Sequence, residues 1–335
     1  MAPTPVAVEV WRNGRVESRH RVRVCVADVT GRPLLALGDI DEPVFPRSAI
    51  KPFQALALVE SGAADAADVS GSELALACAS HGGEPQHVAP VEGWLARLGL
   101  DESALACGPH PPSHAPSAAA LVRAGLAPRR VHNNCSGKHT GMLAAALQLG
   151  ATTRGYEDPG HAVQRHVQAA LAALGGLDRL PEPGIDGCSL PNHPMPLRAL
   201  ARAAAHLADP SRLEPQRRRA LERIALAMSA HPFFVAGSGR CCTAVMQALP
   251  EVIAKTGAEG VYLGAIRSHG VGVVVKAEDG ATRAAEMAFL ALLDHLGAID
   301  DGARGMLERF LRPKLRNFAG SEVGRIVPAT GWPAT

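Results

Sequence analysis

The sequence contains few aromatic residues and no long apolar run. Aromatic side chains make up 4% of the 335 residues, which disfavours surfaces that stack on bases or sugars. The net charge of +2 indicates neither a nucleic-acid nor a membrane partner. No stretch of about 18 apolar residues occurs, so no membrane-spanning helix is predicted. The first twenty residues lack the basic start and apolar core of a secretion signal, and we therefore expect a cytoplasmic protein.

Lysine is also scarce, because only five of the 34 basic residues are Lys. Three of the five lie in short polar motifs, at Lys51, Lys138 and Lys255. Burial or a neighbouring cation lowers the pKa of a Lys, which can then act as a base or a metal ligand. Lysines placed beside Ser, Cys and Gly therefore favour Ser-Lys nucleophilic chemistry.

The seven cysteines are an odd number in a long chain without a recognisable secretion signal. We interpret them as thiols rather than as a disulfide framework. Cys241 and Cys242 are adjacent and cannot form an unstrained disulfide with each other. We expect one of the two to face a functional site and the other the core, and Cys242 is the candidate for the site.

The pattern of apolar residues changes along the chain. Strand-like segments open it, helical periodicity dominates its middle, and strands followed by helices close it. This order predicts an α+β fold, in which both ends of the chain form one antiparallel sheet and a helical lobe is inserted between them. We expect a single domain over residues 1–335, with a sheet lobe at about 1–47 and 250–335 and a helical lobe at about 48–249.

The same patterns predict the individual elements. Strands are expected at 6–11, 20–29, 33–37, 250–255, 260–268 and 271–277. Helices are expected at 48–60, 72–79, 87–98, 115–124, 137–149, 161–174, 196–208, 214–230, 282–297 and 301–311. The segment 181–196 contains too much Pro and Gly for regular structure, and long irregular segments inside compact domains are often functional.

Ser48 and Lys51 are three residues apart at the start of a predicted helix, so their side chains share a face. A Ser hydroxyl becomes a good nucleophile when a base removes its proton, and a desolvated Lys can be that base.

Lys255-Thr256-Gly257 follows an apolar strand. A Ser-x-x-Lys on the first major helix with a Lys-Thr-Gly near a late strand is the motif order of serine β-lactamases and penicillin-binding proteins. For Ser48 and Lys51 the alternative is a chance match of the motif. For Lys255 the alternative is a solvated Lys at a strand end, followed by a turn.

Two further segments place polar side chains at helix ends. Ser80 lies in a glycine-rich turn after an apolar helix, where a simple helix cap is the alternative. Cys135 and Lys138 flank the start of the helix at 137–149, and Cys188 lies in the irregular segment. A helix N-terminus stabilises a thiolate, and two Cys with a third ligand resemble an open zinc site. The spacing matches no standard zinc motif, so a polar cap and an unrelated loop Cys remain the alternative.

Together, seven separated blocks in this order resemble the bacterial L-asparaginase II-type family, the third class of asparaginases, known from Rhizobium. The blocks are 46–54, 78–84, 133–139, Tyr156, 186–188, 235–240 and 255–260. One departure follows the sixth block, which continues Cys241-Cys242-Thr243 where the family usually has an aromatic residue. The signatures of the other two asparaginase classes are absent from the sequence.

The resemblance implies hydrolysis of L-asparagine to L-aspartate and ammonia, on a serine β-lactamase-like fold, in a homodimer. It implies two Ser-Lys tandems, Ser48 with Lys51 and Ser80 with Lys255. It implies zinc, with Cys135, Lys138 and Cys188 as ligands. The substrate-site residues that we infer with it are Arg47, Asp186, His139, Tyr156 and Cys242.

Two other functions stay open at this point. A glutaminase or another Ser-Lys acyl hydrolase of the same fold, such as a β-lactamase or esterase, would use the same Ser and Lys residues. A non-catalytic, zinc-dependent amino-acid-binding or thiol-sensing protein would use Cys135, Cys188 and Cys242. That second function leaves the Ser48 and Lys51 pair unexplained.

Overall fold

The computed structural model describes residues 3–333, so residues 1–2 and 334–335 of the predicted domain lie outside the described residues. The strands in the described part are β1 Val6–Arg12, β2 Arg15–Ala27, β3 Pro33–Leu37, β4 Pro43–Val44, β5 Gly184–Ile185, β6 Pro191–Asn192, β7 Met195–Pro196, β8 Val252–Thr256, β9 Val261–Ile266, β10 Val271–Ala277, β11 Lys314–Arg316 and β12 Glu322–Pro328.

The helices there are α1 Lys51–Gln54, α2 Leu56–Glu60, α3 Ala63–Ala66, α4 Gly71–Ala77, α5 Pro85–Arg97, α6 Ala115–Arg123, α7 Ser136–Gln148, α8 Ala162–Gly175, α9 Leu197–Ala208, α10 Pro215–Ala230, α11 Pro232–Ala236, α12 Cys241–Ala248, α13 Thr282–His295 and α14 Asp301–Leu311. Four 3-10 helices are Arg47–Ile50, Glu102–Ala104, Arg130–His132 and Arg267–His269. Within residues 3–333, none of these helices is long and apolar enough to cross a bilayer.

The expected elements are present, most of them with ends within a few residues of those predicted. The helix expected at 48–60 divides into the 3-10 helix Arg47–Ile50, α1 and α2, and the last break falls at Ala55. Helices α3, α11 and α12 and strands β4, β11 and β12 are additional to the expected elements. The segment 181–196, expected to be irregular, contains the two-residue strands β5, β6 and β7. Strand β12 is mostly exposed or half-buried, and its pairing with β1 gives it strand structure.

One antiparallel sheet joins the two ends of the chain. Its order is β11-β12-β1-β2-β10-β9-β8, and β3 also pairs with β2. The first half of β2 pairs with β1, while its second half pairs with β10 and β3. The prediction of an antiparallel sheet built from both chain ends is therefore confirmed.

Two glycines allow helices to approach this sheet closely. A Cβ at Gly272 of β10 would lie 2.0 Å from the carbonyl oxygen of Ala201 in α9. A Cβ at Gly264 of β9 would lie 2.5 Å from the ring of Phe289 in α13. Because no larger residue fits at either position, the glycines fix where α9 and α13 pack.

The chain divides into two compact units. The sheet unit contains the described residues up to 49, residues 195–209 and the described residues from 244 onward, and the helical unit contains residues 50–194 and 210–243. These units differ from the expected lobes mainly at 195–209, because α9 packs on β10, β2 and β9 and so belongs with the sheet.

Helix α7 forms the centre of the helical unit. All of its residues from Ser136 to Ala146 are buried, and it contacts α2, α3, α4, α5 and α8. A Cβ at Gly137 would lie 2.5 Å from the carbonyl oxygen of Leu76 in α4. The missing side chain therefore lets α4 and the N-terminus of α7 approach each other, and both helix ends carry predicted site residues.

Candidate active site

Lys51 begins α1 and is 1% exposed. Its ammonium group donates hydrogen bonds to the carbonyl oxygen of Ala79, to Ser80 Oγ at 2.9 Å and to Cys135 Sγ at 3.1 Å. Burial lowers the pKa of Lys51, and the Cys135 sulfur opposes that shift. A Lys with a lowered pKa that already contacts a hydroxyl can take a proton from a nucleophile.

Ser80 follows α4, whose start is fixed by a capping box between Ser70 and Glu73. The Ser80 N–H donates to the Val235 carbonyl at 2.9 Å. The next residue, His81, donates its backbone N–H to the Asn134 carbonyl at 3.2 Å. The turn carrying Ser80 is therefore held between two other segments of the helical unit.

The side chain of His81 links this turn to the start of α7. Its Nδ1 accepts the Gly83 N–H, so Nε2 carries the proton and donates to Ser136 Oγ at 3.0 Å. The Ser136 hydroxyl in turn donates to the Val131 carbonyl. Burial lowers the pKa of His81 well below its ordinary value, which keeps this imidazole neutral.

Cys135, Lys138 and Cys188 lie together in the helical unit and are all buried. Lys138 Nζ donates to Cys188 Sγ at 3.1 Å. A hydrogen bond from Cys135 and the positive charges of Lys138 and Lys51 lower the pKa of Cys188 to about 4. Burial alone would lower the pKa of Lys138, but the Cys188 sulfur raises it. The site thus stabilises one thiolate beside one ammonium group.

Asn133 fixes the position of Cys135. Asn133 Oδ1 accepts the Cys135 N–H at 2.9 Å, while its amide donates to the Cys107 carbonyl at 2.8 Å. Asn134 Oδ1 lies 2.9 Å from the Cys135 sulfur. Sequence reasoning assigned no role to these two Asn residues, although an Asn two residues before a Cys is the spacing of an Asx turn.

Cys188 lies in a tight turn closed by hydrogen bonds from Asp186 N–H to the Leu190 carbonyl and from Ser189 N–H to the Asp186 carbonyl. Ser189 has a φ of 73°, which is uncommon for a residue with a side chain. The half-buried Asp186 contributes to the raised pKa of Lys138, which places its carboxylate near that Lys.

His139 and Tyr156 form a buried pair close to these thiols. His139 Nδ1 and the Tyr156 hydroxyl are 2.5 Å apart, and the hydroxyl also accepts the Ala106 N–H at 2.9 Å. Burial and the positive charge of Lys138 lower the pKa of His139 to about 3, and Cys135 and Lys51 also act on it. Two predicted substrate-site residues are therefore in direct contact with each other.

The remaining predicted catalytic residues lie in the sheet unit. Ser48 is in the 3-10 helix Arg47–Ile50, and Arg47 has a left-handed φ of 53°. Lys255 is buried on β8. A Cβ at Gly257 would lie 2.7 Å from the Pro46 carbonyl oxygen and 3.3 Å from the Ala49 nitrogen. The end of the Lys-Thr-Gly motif therefore contacts the segment that carries Arg47 and Ser48.

Cys242 is 2% exposed near the start of α12. Cys241 beside it is equally buried. The assignment of Cys242 to the substrate site stays a prediction.

The donor atoms at Cys135, Lys138 and Cys188 are chemically suited to zinc, because thiolates and nitrogen ligands are what zinc prefers. Within residues 3–333, no group of three or more His, Cys, Asp and Glu side chains is arranged to hold a metal. A zinc ion here would therefore need the Lys138 amine as its third protein ligand, and Lys138 would have to lose its proton on binding.

A buried Lys beside a Ser hydroxyl and two thiols, on an α+β fold, is the kind of site that a hydrolase uses. The chain belongs to the L-asparaginase II family, whose model matches residues 8–328. Family membership points to a hydrolase that acts on amides. No curated protein sequence matches this chain significantly.

Among solved structures, the chain is similar to one titled Mglu in its tris and glutamate form, with 17% identity and a TM-score of 0.49. The match covers 89% of this chain and 64% of that one, so this chain spans less than two thirds of its length. A β-lactamase from Mycobacterium bovis matches with 15% identity, a TM-score of 0.44, and coverage of 88% and 96%. A class C β-lactamase from Rhodobacter sphaeroides matches with 15% identity and a TM-score of 0.40, and the match covers 88% of this chain and 95% of that one. With TM-scores under 0.5, these likenesses carry no argument about activity.

Proposed function

We propose that the protein hydrolyses L-asparagine to L-aspartate and ammonia through a serine acyl-enzyme. The observation that carries this proposal is the buried Lys51, whose amine contacts the Ser80 hydroxyl and lies beside the Cys135 and Cys188 pair. Family membership supports amide hydrolysis as the reaction. Burial provides the lowered Lys pKa that a base requires near neutral pH.

In the acylation step, neutral Lys51 takes the proton of the Ser48 hydroxyl. Ser48 Oγ attacks the side-chain amide carbon of the substrate, and a tetrahedral intermediate forms. The carbon–nitrogen bond then breaks. The Lys51 ammonium returns its proton to the leaving nitrogen, and ammonia departs.

In the second step a water molecule attacks the ester carbon, and Lys51 again accepts the proton. The proton then returns to Ser48 Oγ and L-aspartate is released. Ser80 and Lys255 form the second tandem, which relays protons. Arg47 pairs with the substrate carboxylate, because a guanidinium matches a carboxylate in geometry and charge.

Zinc belongs to this proposal, with Cys135, Lys138 and Cys188 as its ligands. When bound, the ion supplies a positive charge that can hold and polarise an oxygen ligand. Asp186, which lies near Lys138, orients such a ligand or the substrate ammonium. We also propose a homodimer, which light scattering on the purified protein tests.

One observation favours a second assignment of the nucleophile. Lys51 Nζ lies 2.9 Å from Ser80 Oγ, which is within direct proton-transfer distance. Ser80 would then attack the substrate, and Ser48 would belong to the supporting tandem. The residues involved stay the same in both versions.

The test measures ammonia release from L-asparagine by the wild type, by Ser48→Ala and by Ser80→Ala. Ser268→Ala, at an exposed position, is the matched control. Loss of activity in Ser48→Ala alone makes Ser48 the nucleophile, and loss in Ser80→Ala alone makes it Ser80. No release by the zinc-loaded wild type would refute the asparaginase proposal.

Selectivity needs a separate comparison. L-glutamine and nitrocefin are assayed beside L-asparagine at equal concentrations. Faster ammonia release from L-glutamine would make the protein a glutaminase, and nitrocefin hydrolysis would make it a β-lactamase. Thiol oxidation without hydrolysis of any of these compounds would favour the non-catalytic alternative.

A further inference from the structure

Glu84 is a buried carboxylate that the proposed mechanism does not use. It directly precedes α5, shortly after Ser80 in the chain, and is 4% exposed. Burial by itself would raise the pKa of Glu84, but hydrogen bonds from Ser238 and the charges of two nearby histidines lower it below its ordinary value. Because a buried charge must be paired or hydrogen-bonded, the partners of this carboxylate define what it holds in place.

Both carboxylate oxygens bind one residue in the segment between α11 and α12. Glu84 Oε1 accepts the Ser238 N–H at 2.8 Å, and Oε2 accepts the Ser238 hydroxyl at 2.7 Å. Hydrogen bonds to an ionised acceptor are about twice as strong as those between neutral groups. Although Ser238 is exposed to solvent, its backbone is therefore held against the start of α5.

Gly237 lets the carboxylate come this close. A Cβ at Gly237 would lie 2.6 Å from Glu84 Oε1 and 3.2 Å from the Gly82 nitrogen. The φ of Gly237 is 103°, which residues with a side chain rarely adopt. The turn before α5 and the segment before α12 therefore touch without a side chain between them.

The same two segments meet a second time at Ser80. Its N–H donates to the Val235 carbonyl at 2.9 Å, and every residue from Ala79 to Glu84 is buried. The turn is thus joined to residues 235–238 at both ends, by a backbone hydrogen bond at Ser80 and by the carboxylate at Glu84. If the carboxylate contact is lost, one end of the turn is released. The Ser80 hydroxyl, 2.9 Å from Lys51 Nζ, is carried by that turn.

We propose that Glu84 is a positioning residue, which through its two hydrogen bonds to Ser238 holds the Ser80 hydroxyl in place against Lys51. The proposal rests on the asparaginase function above and adds a supporting residue to it. Because both of its oxygens bind Ser238, Glu84 takes no part in proton transfer. A role in placing Ser80 affects the chemical step and leaves substrate binding largely unchanged.

The first arm of the test is kinetic. Glu84→Ala removes both acceptors, and Glu92→Ala, at a half-buried position of the same helix, is the matched control. We expect Glu84→Ala to lower kcat for L-asparagine by about 10–100-fold with little change in KM, because a misplacement of about 1 Å can cost about 100-fold in rate. Glu84→Gln should keep much of the rate, since its amide can accept the Ser238 N–H and donate to the Ser238 hydroxyl.

Ser238→Ala tests the same contact from the other side. It keeps the backbone N–H and removes only the hydroxyl, so kcat should fall less than in Glu84→Ala, and it carries the comparison if Glu84→Ala does not fold. Ser268→Ala is its control. A wild-type kcat in these variants, or a loss confined to KM, would overturn the positioning role. A larger loss in Ser238→Ala than in Glu84→Ala would also overturn it, because Ser238 would then act on its own.

The second arm reads the turn directly and needs no substrate. In protein labelled with ¹⁵N-serine, the amide signals of Ser80, Ser238 and Ser229 are each identified by their loss in the corresponding Ser→Ala variant. Ser229 lies in α10 and is the reference. In Glu84→Ala we expect the Ser80 and Ser238 amides to exchange with solvent at least about tenfold faster and the Ser229 amide to keep its wild-type rate.

Two results of the exchange experiment would overturn the proposal. Faster exchange at Ser238 alone would show that Glu84 does not hold Ser80. An equal acceleration of all three amides would show a general loss of stability. If the wild type releases no ammonia from L-asparagine, the proposed function fails, and amide exchange still decides whether Glu84 positions Ser80.

Discussion

The amine of Lys51 lies 2.9 Å from the hydroxyl of Ser80, although 28 residues separate them in the chain. The same amine contacts Cys135 at 3.1 Å. One buried Lys therefore links a Ser-Lys pair to the thiol pair. A change at Lys51 should affect hydrolysis directly and metal binding only indirectly.

The pH dependence of hydrolysis follows from the lowered pKa of Lys51. A Lys base works after it has lost its proton, so activity should rise with pH through the Lys51 pKa, which lies below the ordinary value of 10.5. We expect a rate that increases from pH 6 to the alkaline side of neutral. Lys51→Met should lower kcat by roughly 10²–10⁴-fold, the typical contribution of general base catalysis.

The measurement is kcat/KM for L-asparagine between about pH 5 and 10. Lys314→Met, at an exposed position on β11, is the matched control. A rate maximum near pH 5 would contradict the assignment of a Lys base.

Zinc content should depend on the two cysteines of the proposed metal site. The purified protein should hold about one zinc per chain, and Cys135→Ala and Cys188→Ala should each lower metal affinity by at least about tenfold. Cys107→Ala is the matched control, because burial raises the pKa of that thiol to about 12 and disfavours metal binding there. Elemental analysis after dialysis gives the counts. Equal zinc in all three variants would place the metal elsewhere.

Gly257→Ala should lower activity because its Cβ would lie 2.7 Å from the Pro46 carbonyl oxygen. The segment from Arg47 to Ala49 must then move, and misplacement of a catalytic group by about 1 Å can cost about 100-fold in rate. Gly305→Ala, where a Cβ meets no atom within 4 Å, should keep wild-type activity. Circular dichroism melting confirms that both variants fold. Wild-type rates in Gly257→Ala would show that this contact does not position the segment.

Glu60 should stabilise the helical unit through Arg217 and His166. Its carboxylate, whose side chain is 5% exposed, pairs with Arg217 at 2.7 Å and His166 at 2.7 Å. Burial alone would raise the pKa of Glu60, but these hydrogen bonds lower it to about 2. The folded pKa is below the unfolded value of 4.5, so this stabilisation is present above about pH 4.5 and is lost as pH falls toward 2.

Glu60→Gln should therefore lower the free energy of unfolding by about 1–3 kcal/mol at pH 7. Asp65→Asn removes an exposed pair with Arg223 and should cost at most about 1 kcal/mol. Urea unfolding at pH 7 and pH 3 measures both. The free energies of unfolding of the wild type and Glu60→Gln should differ less at pH 3 than at pH 7. An equal difference at both pH values would contradict the lowered pKa of Glu60.

The sequence by itself determined the local elements, because apolar periodicity and turn residues act over short distances. The strands at 6–11 and 271–277 and the helix at 137–149 needed no tertiary information. The sequence blocks also determined the family, since seven separated motifs in one order rarely occur by chance. Strand β12 was missed because its structure depends on pairing with β1, more than 300 residues earlier in the chain.

Only the tertiary structure decided which side chains meet. The spacing in the sequence paired Lys51 with Ser48, whereas in the fold the Lys51 amine donates hydrogen bonds to Ser80 and Cys135. That contact requires α4 to approach α7, which the absent side chain of Gly137 permits. The lowered pKa values of Lys51, Cys188 and His139 likewise come from burial and neighbouring charges. Burial and these neighbouring charges arise only after distant segments have packed together, so no local sequence pattern could have shown the pKa shifts.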